Sequence, residues 1–226
     1  MLVKIAQMLS PQDAAAMRTR LEAADWVDGR VTAGAQSALA KHNLQLPEDA
    51  PLAREFGAQI LDALGRTAAF ISAALPLKVF PPLFNRYDQG MRFDDHIDNA
   101  IRFTAEGRRV RTDLSCTLFL TDPDAYDGGE LIISDGFGEP AVKLNAGDLI
   151  VYPASSLHRV AEITRGARWS AFFWVQTMVR SDEQRALLHR LDADVAALRE
   201  RLGDQDPQAL SLTGAYHNLL RLWAET

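Results

Sequence analysis

Two histidines and an aspartate carry the most specific chemistry in this chain. His96 and Asp98 stand two residues apart in Tyr87-Asp88-Gln89-Gly90-Met91-Arg92-Phe93-Asp94-Asp95-His96-Ile97-Asp98. On a β-strand, residues i and i+2 share a face, so this imidazole and this carboxylate converge. His158 follows far along the chain in Ser155-Ser156-Leu157-His158-Arg159-Val160, at what reads as the start of another strand. Two imidazoles and one carboxylate on one side of a metal ion leave the opposite positions open, as in a non-haem Fe(II) oxygenase. By the same alternation Asp94 shares the face of Asp98 and Asp95 points away. Asp98 is preferred to Asp94 because His-x-Asp is the recurrent spacing.

Arg168 adds a second chemical function. It shares a face with Ser170 in Arg168-Trp169-Ser170-Ala171-Phe172-Phe173-Trp174. An inward guanidinium beside a hydroxyl would receive the far carboxylate of a dicarboxylic co-substrate. The bland alternative is a solvent-facing arginine paired with Glu162; an inward one without an anion would be a costly buried charge. Arg102, Arg108, Arg109 and Arg111 read as a loop or surface cluster that could border the substrate. His189 and His217 fall in the helical tail, and His42 lies in an irregular segment. No His-Glu-x-x-His helix is present, and the single cysteine, Cys116, rules out a cysteine-rich zinc site or an internal disulfide.

The elements that must position these residues are legible from periodicity and turn chemistry. Ser10 with Pro11 predicts a helix burying Ala14, Met17 and Leu21 and ending before Asp25. A short strand is expected over Trp26–Val31. A longer helix should run from Leu52 into the seventies on Phe56, Ile60, Leu64 and Phe70. The pattern then turns to short β runs, over 79–87, 93–101, 113–120, 130–134, 141–144, 148–152, 158–163 and 169–175. Their breaks include Asp122-Pro123-Asp124, Asp127-Gly128-Gly129, Asp135-Gly136 and Asn145-Ala146-Gly147. Such spacing argues for a sandwich or jelly roll over a βαβ sheet. Ser181-Asp182-Glu183-Gln184 starts a helix with the stripe Leu187, Leu188, Leu191, Val195, Leu198 and Leu202. Asp206-Pro207 starts another, carrying Leu210, Tyr216, Leu219, Leu220 and Trp223.

The expected fold class is therefore α+β: a jelly-roll core with N-terminal helices and a C-terminal helical appendage. Residues 1–77 form a mainly helical region packing on the core, 78–179 the jelly roll, and 180–226 a helical hairpin. The tail helices must cover either the barrel or a partner subunit. Packing on their own barrel is the favoured reading, and a homo-oligomer formed through them is the other.

Composition sets the outer limits. The chain has 226 residues, 47% hydrophobic and 24% charged, which is ordinary for a globular protein. A net charge of −6 gives no basic footprint for nucleic acid or an anionic membrane. The segment Met1-Leu2-Val3-Lys4-Ile5 does not read as a signal peptide, and no stretch approaches transmembrane length, so the cytoplasm is the default expectation. Cys116, in an apolar run, reads as a buried, inert thiol.

Tyr87-x-x-Gly90-x-x-Phe93-x-x-His96-x-Asp98, then Gly128-Gly129-Glu130-Leu131, Ala146-Gly147-Asp148, His158 and Arg168, resembles the prolyl-4-hydroxylase-like Fe(II)/2-oxoglutarate dioxygenases. Trp26-Val27-Asp28-Gly29-Arg30, Phe173-Trp174-Val175-Gln176 and the helical tail extend the likeness, over nearly the whole chain, to bacterial PKHD-type hydroxylases associated with iron uptake. The resemblance implies a double-stranded β-helix with the metal in its mouth. It maps Fe(2+) onto His96, Asp98 and His158, which act catalytically through the iron, and the distal carboxylate of 2-oxoglutarate onto Arg168. Tyr87, with Ser170 beside Arg168, would help hold that co-substrate. It further implies O2 as co-substrate, ascorbate (vitamin C) dependence, and hydroxylation of a small-molecule or peptide substrate with release of succinate and CO2. A different class of reading is a non-catalytic iron-binding β-barrel acting as sensor or sequestering protein. A pure metal binder needs no dicarboxylate receptor, so Arg168 with Ser170 discriminates against it. A module with a vestigial site and dimerising tail helices is the third reading, opposed by the intact triad.

Overall fold

The computed structural model describes residues 1–32, 35–134 and 138–226. Its N-terminal part runs β1 (Val3–Ile5), α1 (Pro11–Glu22), β2 (Val27–Asp28), α2 (Ala35–Ala40), β3 (Lys41–His42), β4 (Leu44–Gln45), α3 (Pro51–Arg66) and α4 (Ala68–Ala74). The Ser10 hydroxyl accepts from the Asp13 amide and Pro11 opens α1, which buries Ala14, Met17 and Leu21 as its spacing requires. The single helix expected from Leu52 onward is two helices, because Thr67 adopts an extended backbone between α3 and α4. The strand expected over Trp26–Val31 is confined to β2, since the chain turns into a 3-10 helix from Gly29.

From residue 76 onward the chain is mostly β until the tail: β5 (Pro76–Val79), β6 (Leu83–Tyr87), β7 (Arg92–His96), β8 (Ile101–Phe103), β9 (Arg109–Arg111), β10 (Leu114–Phe119), β11 (Asp127–Gly128), β12 (Leu131–Ser134), β13 (Ala141–Val142), β14 (Leu149–Pro153), β15 (Leu157–Val160), β16 (Ile163–Arg165) and β17 (Arg168–Thr177). The strand expected over 79–87 is divided by Pro81 and Pro82, which cannot donate to a ladder. The one expected over 93–101 stops at His96, so Asp98 lies in the connection beyond it. The turn expected at Asp135-Gly136 lies outside the described residues.

All recorded pairings are antiparallel; β8 with β9 and β11 with β16 form separate two-stranded ladders, while most build two facing sheets, a jelly roll. The larger has the order β1-β14-β10-β17-β6-β4-β2, with β5 also on β17, and the smaller β13-β12-β15-β7-β3. Both draw strands from the first 77 residues, whose expected character was helical. Two- and three-residue strands leave no periodic signature of their own and exist through distant partners, as β1 does on β14.

Alternation in the large sheet separates a structural face from a chemical one. Cys116, Leu118, Ala171 and Phe173 point to the side where α1 and α3 pack with Leu21, Phe56 and Ile60. Ser115, Thr117, Arg168, Ser170, Phe172 and Trp174 point to the other, between the sheets. Gly147 joins the layers at one edge. Its amide donates to the Phe119 carbonyl at 2.8 Å, and its own carbonyl accepts from Leu9 at 3.1 Å. Its φ of +94° and the Leu9 carbonyl, where a Cβ would stand, leave room only for glycine.

The tail consists of α5 (Asp182–Leu202) and α6 (Pro207–Trp223), begun as expected at Ser181 and Asp206. Leu188 is fully buried, in a cluster with Leu75 and Val179 against which Tyr216, Leu219, Leu220 and Trp223 pack. The tail thus rests on the end of α4 and on itself. Leu187, Leu202 and Leu210 of the expected stripes are exposed. Arg185 is instead buried, its Nη1 donating to the carbonyls of Val179 at 2.7 Å and Arg180 at 2.8 Å and to Thr177 Oγ1 at 3.2 Å.

Candidate metal and co-substrate site

β15 and β7 are neighbours in the small sheet, with His158 directly opposite His96. The next registered pair is Val160 with Phe93, so β7 carries one residue more than β15 over this stretch. That extra residue is a β-bulge, and it resets the alternation. Phe93 and His96 therefore meet on one face, stacked 3.6 Å apart between ring centroids. Asp94, expected to share the face of Asp98, is turned outward to Arg92 at 2.9 Å, and Asp95 to Arg159 at 3.2 Å. The choice of Asp98 over Asp94 matches this geometry, although the strand argument behind it does not: the chain leaves the sheet after His96 and folds Asp98 back.

One possible ligand atom from each of His96, Asp98 and His158 lies within 4.8 Å of the others. The imidazole centroids are 4.2 Å apart, and Asp98 Oδ2 stands 3.8 Å from His158 Nε2, too far for a hydrogen bond. Nδ1 of His96 lies 2.9 Å from the Asp94 carbonyl, and Nδ1 of His158 lies 3.0 Å from the Ser156 carbonyl. A carbonyl only accepts, so each Nδ1 carries the proton and each Nε2 keeps its lone pair. Burial, then the neighbouring His158, pushes the His96 pKa down to about 4, which keeps that ring neutral. Asp98 Oδ2 is buried with no hydrogen-bond partner. Two Nε2 nitrogens facing an orphaned carboxylate oxygen form a donor set that fits a divalent cation.

The same cleft continues to Arg168. This arginine is 1% exposed and begins β17 directly opposite Tyr87 on β6. Its Nη1 donates to Ser170 Oγ at 2.9 Å, and the Ser170 hydroxyl donates to Asn85 Oδ1, across the same strand pair. Its Nε is buried and unpartnered, and no carboxylate among the described residues pairs with it. The solvent-facing alternative, paired with Glu162, is not what the chain adopts. Tyr87 is 1% exposed, its ring 5.4 Å from the guanidinium carbon. Burial, partly opposed by Arg168, pushes its pKa up to about 12, so it remains a neutral hydroxyl.

Several cavity residues escaped sequence reasoning. Asn85 was recoverable, because it stands at i−2 from Tyr87. Behind that lining, Tyr126 is fully buried beside Arg168; it arrives from a turn and carries no periodic signal. Lys41 enters from β3, and its ammonium donates to Gln45 at 2.8 Å. Arg102, read as part of a loop or surface cluster, lies over Trp174 at 4.2 Å and lines the cavity.

Comparison with known proteins places this geometry. Residues 82–176 match the 2OG-Fe(II) oxygenase superfamily, and residues 182–225 match the PKHD-type hydroxylase C-terminal domain. A PKHD-type hydroxylase of Methylobacterium nodulans is 62% identical over 226 residues, the whole of both chains. One of Gluconobacter oxydans is 58% identical over the same extent. Among solved structures, a Pseudomonas putida prolyl-4-hydroxylase superposes with a TM-score of 0.52 at 22% identity, covering 78% of this chain and 92% of its own. HygX from Streptomyces hygroscopicus, with nickel and 2-oxoglutarate bound, does so with a TM-score of 0.52 at 16% identity, covering 79% and 84%. At these identities the structures establish the shared double-stranded β-helix.

Proposed function

The chain belongs to the PKHD-type hydroxylase family of Fe(II)/2-oxoglutarate-dependent oxygenases, and from that membership we propose which residues do the work and on what. His96, Asp98 and His158 hold Fe(II), and Arg168 receives the distal carboxylate of 2-oxoglutarate. The observation that carries this reading is the pair of Nδ1 contacts to backbone carbonyls, which leaves two Nε2 lone pairs beside the orphaned Asp98 oxygen.

Bound iron and 2-oxoglutarate supply the oxidant: with O2 the co-substrate is consumed to succinate and CO2 while a substrate C–H bond becomes C–OH. The chain's own residues prepare that step. Ser156 and Asp94 fix the imidazole tautomers through their carbonyls. Ser170 and Asn85 hold the Arg168 fork in one orientation. Tyr87, kept neutral by burial, offers a hydroxyl donor at the same end of the cavity. Apolar walls such as Leu131 and Val160 exclude water.

The substrate in this reading is a small molecule or peptide. Residues 78–179 carry the chemistry, with 1–77 and 180–226 as support. The exposed leucines of α5 and α6 give a homo-oligomer a surface to form on. Cytoplasmic location is the expectation carried from the sequence reading, while ascorbate dependence and a role in iron uptake or homeostasis rest on the family resemblance alone. Transcript levels under iron starvation, and succinate yield with and without ascorbate, test the last two. No helix among the described residues is long and apolar enough to cross a membrane.

The test is an anaerobic titration of metal-free protein with Fe(II) and then 2-oxoglutarate, followed by visible absorbance. A charge-transfer band that needs both, and succinate on admitting oxygen, is the expected result. Tight iron binding with no such band would overturn the co-substrate assignment.

A further inference from the structure

The cavity contains more positive charge than iron and 2-oxoglutarate use. Arg168 accounts for the co-substrate's distal carboxylate. At the other end stand Arg102 and Lys41. The Arg102 guanidinium carbon lies 4.2 Å from the Trp174 ring centroid and 5.2 Å from that of Phe80. The Arg102 guanidinium makes no hydrogen bond or ion pair with any described residue, although it lines the cleft. Glu48, whose charge reaches it, is exposed and forms no ion pair with it. The Lys41 ammonium sits 5.7 Å from the Phe93 and Phe172 rings. Burial, then the charge of Arg102, pushes the Lys41 pKa down to about 8, so the two cations feel each other across the cavity.

Position separates this pair from the co-substrate. Arg168 and Trp174 lie on the same face of β17, six residues apart, which is roughly 20 Å of strand at about 3.3 Å per residue. That is well beyond the length of a five-carbon diacid held by Arg168. Charge leads to the same conclusion. Fe(II) and doubly ionised 2-oxoglutarate cancel, which sets the single carboxylate of Asp98 against three cavity cations, Arg168, Arg102 and Lys41. A guanidinium laid over an indole is held in place by its π face yet keeps its in-plane N–H groups available. A largely desolvated guanidinium such as that of Arg102, with no ion pair among the described residues, is costly, and an incoming anion removes that cost.

We infer that Arg102, stacked on Trp174 and assisted by Lys41, is the receptor for a carboxylate on the organic substrate, so that this enzyme hydroxylates a small organic acid. The inference rests on the iron and 2-oxoglutarate assignment above and names the substrate class for that same site. Phe93, Phe172 and the exposed Ile97 give the acid an apolar body to lie against.

The test uses full-length protein, anaerobic and saturated with Fe(II) and 2-oxoglutarate so that Arg168 is already occupied. Three acid–amide pairs are titrated calorimetrically: acetate with acetamide, benzoate with benzamide, phenylacetate with phenylacetamide. At least one acid should bind about tenfold or more tightly than its amide. Arg102→Gln should reduce that preference about fivefold or more, with the 2-oxoglutarate midpoint of the charge-transfer band held within about twofold, and Arg102→Lys should restore part of it. Thermal unfolding of each variant checks that it is folded. No acid preferred over its amide in the unmodified protein overturns the inference, as does a preference that survives Arg102→Gln. A shifted 2-oxoglutarate midpoint in Arg102→Gln also overturns it, by assigning Arg102 to the co-substrate. An absent charge-transfer band in the unmodified protein marks failure of the co-substrate reading, seen before any probe is added. In that case the same pairs titrated into metal-free Arg168→Met protein test the cation pair by itself.

Discussion

Arg168 and Tyr87 face each other across β17 and β6, the guanidinium carbon 5.4 Å from the phenol ring, with no carboxylate among the described residues to balance the charge. A buried arginine left this way costs the free protein stability and is recovered when an anion arrives. Arg168→Met should therefore leave the metal-free protein at least as stable as the parent. It should weaken 2-oxoglutarate binding by about 2–5 kcal/mol. Calorimetric titration with 2-oxoglutarate and thermal unfolding of the same samples give both signs. A large loss of stability without a loss of affinity would make Arg168 an ordinary structural residue.

Ser170 is a smaller and different case. Its hydroxyl hydrogen goes to Asn85 and it accepts from Arg168, so its contribution is orientation of the fork. Ser170→Ala should cost about 0.5–1.5 kcal/mol of 2-oxoglutarate affinity. The turnover number at saturating co-substrate should hold. A loss as large as that of Arg168→Met would give the serine a direct contact instead.

Metal binding should discriminate between two aspartates four residues apart in sequence. Asp98→Asn and His96→Ala should abolish Fe(II) binding and succinate production. Asp94→Asn should retain both, because its carboxylate pairs outward with Arg92 and only its backbone carbonyl meets His96. A simple readout is the rise in unfolding temperature on adding Fe(II), which follows the binding of metal to the native state. If Asp94→Asn loses that rise, the bulge assignment is wrong.

Lys41 gives the chain a pH signature on the alkaline side. Its pKa is lowered from 10.5 to about 8, burial being the leading cause. Below about pH 8 the lysine is charged in both folded and unfolded chains, and its full burial penalty is present. Between about 8 and 10.5 the folded protein has released a proton that the unfolded chain still holds, so stability increases with pH in that window. Lys41→Met should be more stable near neutrality and lack that increment. Chemical denaturation of both proteins at several pH values across the window measures it. Equal slopes for the two would show that Lys41 is better solvated than its surroundings indicate.

Arg185 anchors the tail. Its side chain is 2% exposed and holds the Val179 and Arg180 carbonyls at the point where β17 hands over to α5. Arg185→Leu should destabilise the protein by on the order of 3 kcal/mol, since it removes three hydrogen bonds at this junction and the ion pair with Asp182. Amide exchange should quicken first in α5 and α6. Uniform protection across the tail would contradict this.

Features that depend on near neighbours along the chain can be read before it folds. Ser10, Ser181 and Asp206 start helices because a short side-chain oxygen reaches amides two or three residues on, whatever lies elsewhere. The apolar runs around Cys116 and Phe173 make buried strands, and the types and spacing of His96, Asp98, His158 and Arg168 point to iron and a diacid. Features that depend on partners distant in sequence emerge with the assembled fold. The bulge opposite β15 puts Phe93 with His96 and turns Asp94 away, so alternation, which counts along one strand, cannot see it. The three residues of β1 are a strand because β14 waits beside them. Lys41 and Arg102, ordinary polar residues in sequence, become cavity cations because β3 docks on β7 and because Trp174 emerges beneath the β8 side chain. Burial and counter-charge belong to the assembled site, and a linear chain carries neither until it folds.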